Sequence, residues 1–261
     1  MVVRTRALFA LDGRVAVVTG GMGQVGSEIV RGLREYGARV GIFDVAADDT
    51  EDSFRVDVTD RGAVERATDE FTRRWDVPDV LVNAAALDSP PDAPADEVGP
   101  FESYPESSFD RVMDVNVKGT FLCCQAIGSR MAQAGRGSIV NISSIYGMLS
   151  PVQDVYDFRR ERGETFFKPA AYSVSKSALY NLTRYLATYW ARSGVRVNTL
   201  TLAGVWNEQP QEFVDAYTGR MPVGRMANAN EVVGPVVFLA SDASSYVTGA
   251  NLVADGGWSA W

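Results

Sequence analysis

Short runs of apolar and β-branched residues alternate along this chain with longer segments in which apolar residues recur at helical spacing. The short runs predict strands at residues 14–19, 38–44, 53–57, 80–83, 137–144, 195–200 and 250–254. The longer segments predict helices at residues 27–36, 61–75, 109–134, 170–192 and 230–241, with a further amphipathic segment at 211–218. Strands that are apolar on both faces and alternate with helices are typical of a parallel sheet covered on each side. We therefore predict one α/β domain over residues 1–261.

Two segments do not fit this pattern. Residues 88–108 contain five prolines and many acidic side chains, which predicts an exposed irregular loop. Residues 150–169 are polar and aromatic and have no clear period. We predict no helix or strand in residues 88–108 or in residues 150–169.

The composition of the 261 residues narrows the chemistry. With 33 acidic against 25 basic residues and no basic block, binding to the phosphates of a nucleic acid has no support. The absence of histidine excludes a Ser-His-Asp hydrolase and any metal site that needs a histidine ligand. The two cysteines, Cys123 and Cys124, are adjacent, which disfavours both a structural disulfide and a zinc site. We predict that they pack in the core and that no metal is bound.

The chain also lacks the usual signals for membranes or export. No apolar run approaches the roughly 20 residues needed to span a bilayer. The first ten residues contain no long apolar segment leading to a cleavage site. These features predict a soluble cytoplasmic protein without a membrane partner.

A glycine-rich turn follows the first predicted strand. Gly21, Gly23 and Gly26 have the spacing G-x-G-x-x-G, which permits a tight bend, close approach of the backbone to a pyrophosphate and room for the next helix. The N-terminus of that helix would offer unpaired N–H groups and a positive dipole end to phosphates. The motif alone also fits a turn that serves only packing. Its position in a β-α-β unit favours a dinucleotide site.

Two acidic positions lie at the ends of the next strands. Asp44 follows Gly26 by 18 residues, where a carboxylate can accept hydrogen bonds from a ribose diol and repel a 2′-phosphate. This position favours NAD over NADP, and the alternative is that Asp44 merely caps a loop. Asp57 and Val58 could hold the adenine edge through the carboxylate and the backbone.

Tyr172 and Lys176 are the most informative pair in the chain. Four residues apart on a helix, they share one face, where the ammonium can stabilise a phenolate and lower the pKa of Tyr172. A phenol of that kind can exchange a proton with an alcohol or ketone oxygen while a dinucleotide takes or gives hydride. Taken singly, such a pair is usually part of a solvated helix face. Together with the glycine turn, it predicts an oxidoreductase.

Eight signatures appear in order along nearly the whole chain. They are residues 19–26, 57–58, 81–86, 116–119, 141–144, 172–176, 196–198 and 241–249. Together they resemble the classical short-chain dehydrogenase/reductase family. The resemblance implies a single doubly wound Rossmann-type domain with a seven-stranded parallel sheet and helices on both faces. It also implies an NAD(H) or NADP(H) cofactor, no metal, and a homodimer or homotetramer; with Asp44, we predict NAD.

The resemblance assigns roles to matching positions. Tyr172 would be the acid/base, and Lys176 would bind the nicotinamide ribose and lower the pKa of Tyr172. Ser144 would hydrogen-bond the substrate oxygen, and Asn116 would kink its helix and anchor a water in a proton relay. From the residues alone, Ser144 could equally be a strand-end cap and Asn116 a polar residue that bends a helix. The predicted cofactor-binding residues are Gly20, Gly23, Gln24, Val25, Gly26, Asp44, Asp57, Val58, Asn83, Ala84, Ala85, Tyr172, Lys176 and Val205.

The chain departs from the family pattern at several of these places. Gln24 stands where the turn usually has a glycine, and it could narrow the approach to the phosphates or donate its amide to them. Ala84 replaces an asparagine, so one amide contact at the sheet edge is lost. Leu202 and Ala203 occupy the place where Pro-Gly usually follows the sixth strand. Because of these departures, the family pattern does not predict which residues of this chain contact the nicotinamide.

The distance from Ser144 to Tyr172 is 28 residues, about twice the usual spacing in the family, so residues 150–169 look like an insertion. An insertion at this place would overhang the substrate pocket, and residues 204–225 would form a lid. Both segments are rich in hydrogen-bonding and aromatic side chains, namely Gln153, Asp154, Tyr156, Asp157, Arg159, Arg160, Trp206, Asn207, Glu208 and Gln209. These residues suit a hydroxyl-rich small molecule. A polar lid or a subunit interface would use the same residue types.

A subgroup of the family linked to sialic-acid-like and other surface-sugar pathways is also similar to this chain at residues 144–147 with the insertion, 182–187, 207–213 and 255–258. We therefore predict interconversion of a secondary alcohol and a ketone on a sugar or sugar derivative. Two alternatives remain, a reductase of acyl or small aliphatic ketones and a cofactor-binding scaffold without turnover.

Overall fold

A parallel sheet of seven strands forms the centre of the computed structural model, which describes residues 5–88 and 97–261. The strands are β1 (Val15–Thr19), β2 (Arg39–Asp44), β3 (Ser53–Arg55), β4 (Val80–Asn83), β5 (Gly137–Ser144), β6 (Val195–Leu202) and β7 (Asn251–Ala254). Their order across the sheet is β3-β2-β1-β4-β5-β6-β7, and all neighbours are parallel. The predicted doubly wound α/β fold is confirmed.

Helices cover both faces of the sheet. In the described ranges they are α1 (Gln24–Glu35), α2 (Arg61–Trp75), α3 (106–134), α4 (Ile145–Met148), α5 (Asp157–Glu161), α6 (Ala170–Trp190), α7 (Gln211–Thr218) and α8 (Val233–Ala240). Short 3₁₀ turns lie at Thr5–Phe9, Phe101–Ser103, Gln153–Tyr156, Ala191–Ser193, Ala229–Val232 and Asp242–Ser244. None of these described helices is both long and apolar enough to cross a membrane.

Alternate residues along the strands enter two separate cores. In β1, Val17 faces the core formed with α2, α3 and α6, whereas Ala16 and Val18 face the core formed with α1 and α8. Phe71 of α2 and Ile29 of α1 are fully buried on the two opposite sides. Because each strand contributes apolar area to both cores, at roughly 25 cal/mol per Å² buried, polar residues cannot alternate along it. The sequence pattern of apolar runs has this physical origin.

Several element ends differ from the sequence prediction. α1 begins at Gln24 rather than at residue 27, because the glycine turn leads directly into the helix. α3 begins at Glu106 rather than at residue 109; Pro105 immediately precedes it with φ −66°, a value that allows the helix to start there. β3 ends at Arg55, two residues early, and β6 continues to Leu202 through pairing with β7.

Two π-helical turns interrupt α3, at Asp114–Gly119 and Cys124–Gly128. The first contains Asn116, so the helix is distorted where the sequence predicted a kink. Turns of this kind frequently occur at functional sites. Cys123 and Cys124 are free, buried and part of the core beneath the sheet.

Residues 150–169, which have no sequence period, are held together by side chain to backbone hydrogen bonds. The Gln153 amide accepts from the backbone N–H of Lys168 at 2.9 Å and donates to its carbonyl at 3.2 Å. Arg160 donates to the carbonyls of Gln153 and Phe166, at 3.0 and 3.1 Å. These bonds close the segment on itself around a 3₁₀ turn and α5. Periodicity could not predict them, because they join a side chain to the backbone of residues 6 to 15 positions away and do not repeat at a helical or strand period.

The predicted proline-rich loop falls only partly within the described residues. Residues 89–96 lie outside them. Of the remainder, Phe101–Ser103 forms a 3₁₀ turn and α3 starts at Glu106. The irregular part of this segment is therefore shorter than predicted at its carboxyl end.

The order of the strands determines where a ligand can bind. The connections reverse direction between β1 and β4, and parallel folds of this kind bind ligands in the crevice at the carboxyl ends of such strands. The glycine turn follows β1, Asp44 ends β2, Asn83 ends β4 and Ser144 ends β5. Residues that are far apart in sequence thus meet at one edge of the sheet.

Candidate active site

A cavity of about 990 Å³ opens at the carboxyl edge of the sheet. Its walls come from the start of α1, the ends of β5 and β6, the first turns of α6, the segment 150–169 and the stretch from 202 to 217. A cavity of this volume suits a small molecule. Among the described residues, no cluster of three histidine, cysteine or acidic side chains could hold a metal ion.

α6 brings the predicted catalytic pair to the cavity wall. Tyr172 and Lys176 lie one turn apart, and the Lys176 ammonium nitrogen is 5.8 Å from the centroid of the phenol ring. Lys176 is only 5% exposed and Tyr172 is half-buried. The pair is therefore not part of a solvated helix face.

Lys176 is held at the end of β5. Its ammonium donates a hydrogen bond to the carbonyl of Ile142 at 3.0 Å. Burial lowers the pKa of Lys176 to about 8, although the negative charge of Asp88 raises it. Both the protonated and the neutral form of Lys176 are therefore populated at mildly alkaline pH.

The pKa of Tyr172 moves in the direction opposite to the sequence prediction. Burial raises it, the negative charge of Asp88 raises it further, and the hydroxyl of Ser144 lowers it. Lys176 does not overcome the burial because its ammonium bonds a backbone carbonyl rather than the phenol oxygen. Tyr172 is therefore a neutral phenol and a potential proton donor in this structure.

Ser144 ends β5 beside Tyr172. Its hydroxyl oxygen accepts from the backbone N–H of Tyr146 at 3.2 Å and thereby caps α4. A hydroxyl has one donor and two acceptor sites, so the cap leaves the O–H proton available. Ser144 also lines the cavity, and the alternative role as a strand-end cap does not exclude contact with a substrate oxygen.

Asn116 links the loop after β4 to α6. Its side chain accepts from the backbone N–H of Leu87 at 2.7 Å, and donates to the Leu87 carbonyl at 3.0 Å and to the Ser175 hydroxyl at 2.9 Å. It is 1% exposed and is not among the residues that line the cavity. Asn116 therefore fixes the residue next to Lys176.

Two glycines of the turn leave space that no other residue could leave. Gly20 has φ +67°, and a Cβ there would lie 2.6 Å from Cα of Ala85. A Cβ on Gly26 would lie 2.0 Å from the carbonyl oxygen of Gly20. The bare backbone and the N–H groups at the start of α1 form a cradle that fits the pyrophosphate of a dinucleotide.

Gln24 crosses the crevice. Its side-chain amide donates to the carbonyl of Trp206 at 2.6 Å, which joins the glycine turn to the segment after β6. Of the two roles predicted for Gln24, this contact fits the narrowing of the approach to the phosphates. Gly23 precedes Gln24 as the N-cap residue of α1, and Val25 lines the cavity.

Asp44 supports the backbone around the turn. One carboxylate oxygen accepts from the N–H of Met22 at 3.0 Å, and the other accepts from the N–H of Ala46 at 2.9 Å. This is the capping role that the sequence left open. Each oxygen can still accept a further hydrogen bond from a ribose hydroxyl.

Asp57 and Val58 follow β3. The Asp57 carboxylate accepts from the N–H and the hydroxyl of Thr59, both at 2.8 Å, and the side chain is exposed. Val58 is buried and packs where a Cβ on Gly119 would not fit. Neither residue lines the cavity, so their predicted contact with the adenine edge stays a prediction.

The side chain of Asn83 does not reach the crevice. It is 3% exposed and donates to the amide oxygen of Asn141 at 2.8 Å and to the sulfur of Cys124 at 3.3 Å. The predicted cofactor contact of Asn83 could therefore be made only by its backbone, because the side chain is used inside the sheet.

Ala84 and Ala85 also have partners within the fold. Both backbone N–H groups donate to the hydroxyl of Thr19 at 3.2 Å, which ties the ends of β1 and β4 together. Ala84 lines the cavity, and so does Val205, which forms an isolated parallel bridge with Ala227.

A chain of aromatic rings forms part of the cavity wall. Tyr156 packs against Phe166 and Phe213, with ring centroids 4.6 and 5.5 Å apart. Phe213 in turn stacks on Tyr217 at 5.4 Å, and Tyr217 stacks on Trp258 at 4.5 Å. The predicted insertion and the segment 204–225 meet through these rings, so both contribute to one wall.

Lys168 and Asp88 also line the cavity, and sequence reasoning did not single them out. They form an ion pair, and the Lys168 ammonium nitrogen is 4.8 Å from the centroid of the Tyr172 ring. A signal was present: lysine occurs only three times in the chain, and two of these lysines lie four residues before and four residues after Tyr172.

Together these positions can support one kind of chemistry. A neutral phenol and a hydroxyl face the same cavity, and a cradle for a dinucleotide lies at its edge. Such a set can move a proton at an oxygen atom while hydride moves at the neighbouring carbon.

Comparison with known proteins agrees with this arrangement. The family model described as enoyl-(acyl carrier protein) reductase matches residues 22–259. A D-threitol dehydrogenase from Mycolicibacterium smegmatis is 33% identical to this chain, over 96% of the chain and 94% of the relative.

Solved structures with the same fold carry nicotinamide dinucleotides. A short-chain dehydrogenase from Leptospira borgpetersenii, with bound NAD+, is 31% identical with a TM-score of 0.85, over 99% of this chain and 97% of that one. A gluconate 5-dehydrogenase from Burkholderia cenocepacia, in complex with NADP and tartrate, is 29% identical with a TM-score of 0.84, over 99% of this chain and 100% of that one.

Proposed function

This chain belongs to the classical short-chain dehydrogenase/reductase family, and from that premise we propose an NAD-dependent dehydrogenase that interconverts a secondary alcohol and a ketone on a sugar or sugar derivative. One observation carries the proposal. Tyr172, Ser144 and Lys176 line a single cavity with the start of α1, where a dinucleotide cradle lies.

The reacting oxygen would lie between Ser144 and Tyr172. The Ser144 hydroxyl donates a hydrogen bond to it, and the Tyr172 oxygen gives it a proton during reduction or takes its proton during oxidation. When bound, the nicotinamide supplies the hydride or accepts it. Burial favours the neutral phenol, which is the form of Tyr172 that reduction needs.

Lys176 and Asn116 would support Tyr172 in different ways. The Lys176 ammonium, 5.8 Å from the phenol ring, stabilises the phenolate that forms when Tyr172 gives up its proton. Its other proposed role is to donate to the nicotinamide ribose. Asn116 is a positioning residue, because its side chain holds Ser175 and therefore the turn of α6 that carries Lys176.

The preference for NAD over NADP is part of the proposal. Asp44 is buried at the end of β2, and its carboxylate would accept from the ribose diol and repel a 2′-phosphate. Because relatives of this fold are found with either dinucleotide, the support comes from Asp44 itself. The remaining cofactor contacts are proposed for Gly20, Gly23, Gln24, Val25, Gly26, Asp57, Val58, Ala84, Ala85 and Val205, and for the backbone of Asn83.

The segments 150–169 and 204–225 are proposed to cover the substrate. Their aromatic and polar side chains form part of the cavity wall. The threitol dehydrogenase among the relatives supports a polyol or simple sugar derivative as the substrate. The surface-sugar subgroup suggested by the sequence stays a prediction.

Assembly and location complete the proposal. We propose a cytoplasmic homodimer or homotetramer. Phe121 and Val174 on α3 and α6, with Tyr185 and Tyr189 further along α6, are between 42% and 67% exposed, and apolar patches of this kind mark interfaces.

The test is to replace Tyr172 by Phe and to follow NAD reduction over a panel of polyols, sugars and simple alcohols. We expect a loss of turnover of roughly a hundredfold or more, because the proton-transfer group is gone. NADH binding, measured by fluorescence titration, should stay within a few fold of that of the wild type. Titration with NADPH in parallel should give the weaker binding.

Tyr180→Phe is the matched control, because Tyr180 lies on the same helix as Tyr172. The Tyr180 hydroxyl donates to the backbone carbonyl of Ser144, at 3.1 Å, and not to the Ser144 hydroxyl. This variant should retain most of the turnover. Full activity of the Tyr172→Phe variant would refute the role of Tyr172, and NADPH binding as tight as NADH binding would refute the role of Asp44.

A further inference from the structure

The ion pair between Lys168 and Asp88 lies where a substrate held by Tyr172 would extend. Both residues line the cavity, and the Lys168 ammonium nitrogen is 4.8 Å from the Tyr172 ring centroid. Asp88 is close enough for its charge to act on Tyr146, Tyr156 and Tyr172. The pair therefore lies at the mouth of the cavity, with Lys168 inside it and Asp88 open to solvent.

The two partners differ in exposure. The Lys168 side chain is 7% exposed, whereas that of Asp88 is 56% exposed. Taking an ammonium out of water costs several kcal/mol, and one ion pair offsets that cost only partly. Such a pair is a weak source of stability, and a charged pair beside a catalytic phenol is a candidate for substrate recognition.

The backbone of Lys168 is fixed. The Gln153 amide bonds both its N–H and its carbonyl, at 2.9 and 3.2 Å, and Pro169 then leads into α6, which carries Tyr172. The position of the ammonium is thus coupled to that of the catalytic phenol. A side chain that recognises one particular substrate hydroxyl needs a fixed backbone position of this kind.

The Tyr146 hydroxyl is a second polar group of the cavity that is suited to bind a substrate hydroxyl. Its side chain is buried, 7% exposed, and lines the cavity. Its hydroxyl is near that of Tyr156 but makes no hydrogen bond of standard geometry within the described part of the chain. A buried hydroxyl without a partner costs free energy, and a substrate hydroxyl would satisfy it.

Two arginines of the cavity wall are already paired with carboxylates, which favours a neutral ligand at this wall. Arg159 pairs with Glu164 at 2.7 Å, and Arg162 pairs with Glu212. A substrate carboxylate placed at either arginine would have to displace the carboxylate that already pairs with it. A hydroxyl would not, because it can donate to a carboxylate and accept from an ammonium at the same time.

We propose, on the basis of the proposed function, that Lys168 and Asp88 bind the hydroxyl next to the reacting carbinol. The substrate would then be a neutral polyol with a vicinal diol rather than a sugar acid. The neighbouring hydroxyl donates to Asp88 and accepts from Lys168 while Tyr172 and Ser144 hold the reacting one. Both residues determine specificity and take no part in the proton transfer.

The experiment compares xylitol, gluconate and cyclohexanol as substrates with NAD. For the wild type, kcat/KM for xylitol should exceed that for gluconate by about tenfold or more. In the Lys168→Met and Asp88→Asn variants, the ratio of kcat/KM for xylitol to that for cyclohexanol, which has no neighbouring hydroxyl, should fall by about tenfold or more. If Lys168→Met fails to fold, Asp88→Asn makes the same comparison, because Asp88 is mostly exposed.

The matched controls are Lys118→Met and Asp114→Asn, which remove an exposed ion pair of 2.8 Å on α3. They should leave the xylitol to cyclohexanol ratio unchanged. An unchanged ratio in the Lys168 and Asp88 variants, or a wild-type preference for gluconate, would overturn the inference alone. Absence of wild-type turnover with all three alcohols would count against the proposed function as well.

Discussion

Burial controls the protonation of Tyr172 and Lys176 more strongly than their mutual charge does. Burial lowers the pKa of Lys176 from its ordinary value of 10.5 to about 8 and raises the pKa of Tyr172. Both shifts favour the uncharged form, as expected for groups removed from water. The sequence predicted which residues form the pair, because their spacing is local. It could not predict the direction of the Tyr172 shift, which depends on the surroundings of the folded chain.

The lowered pKa of Lys176 has a consequence for stability. Between about pH 8 and 10.5, the unfolded chain binds a proton at this lysine that the folded chain does not bind. The contribution of Lys176 to the free energy of unfolding therefore rises with pH across this window and is constant below it.

Lys176→Met removes this titration and keeps the volume of the side chain. The free energy of unfolding of the wild type, minus that of the variant, should be about 2 kcal/mol larger at pH 10 than at pH 8. Urea unfolding at the two pH values measures it. An equal difference at both would mean that the folded protein does not lower the pKa of Lys176.

At the level of elements, the segment 150–169 shows where sequence patterns stop being informative. The strand ends were predictable to within two residues, because short β-branched runs have a local cause. The 3₁₀ turn and α5 were not predictable, because Gln153 and Arg160 hold them through bonds to distant backbone groups. The start of α3 was hidden for a related reason: Pro105 looked like part of the loop but directly precedes the helix.

The clamp formed by Gln153 can be tested directly. Gln153→Leu removes both hydrogen bonds to the backbone of Lys168 while keeping a similar volume. We expect a loss of about 1–3 kcal/mol in stability and faster hydrogen exchange in residues 150–168, because buried partners lose their bonds. The KM for the substrate should rise more than kcat falls.

Gln133→Leu is the control for this change, because Gln133 is exposed near the end of α3. It should leave both the exchange of residues 150–168 and the KM unchanged. If the two variants behave alike, Gln153 does not hold the segment.

For the molecule as a whole, two cores on opposite faces of the sheet account for the fold, and a smaller aromatic cluster accounts for the pocket. The sheet could be predicted because each strand is an apolar run, and its alternate residues enter the cores on the two faces of the sheet. The sequence did not reveal that Tyr156 packs on Phe213 or that Tyr217 stacks on Trp258, since these rings come from three distant segments. It also did not reveal Lys168 and Asp88, which become neighbours only when the loop after β4 meets the start of α6.

Assembly is the prediction that belongs to this scale. Tyr185 and Tyr189 stack with their ring centroids 5.9 Å apart on the exposed side of α6. Replacing both by lysine should shift the sedimentation of the protein from a dimer or tetramer toward the monomer, because charge would enter an apolar contact.

Tyr36→Lys serves as the control, since Tyr36 is exposed at the end of α1. It should sediment like the wild type. A wild type that is already monomeric, or a double variant that assembles normally, would contradict the proposed interface.

The hydrogen bond of 2.6 Å from Gln24 to the Trp206 carbonyl ties the two banks of the crevice together. A dinucleotide that enters between these banks would have to part them, and its affinity would be lower by the free energy of that opening, about 1 kcal/mol for one hydrogen bond. Once this bond is broken, the Gln24 amide and the Trp206 carbonyl can each form a hydrogen bond with the dinucleotide. When the dinucleotide leaves, this hydrogen bond re-forms, so the contact that lowers the affinity also favours release of the used dinucleotide after each reaction.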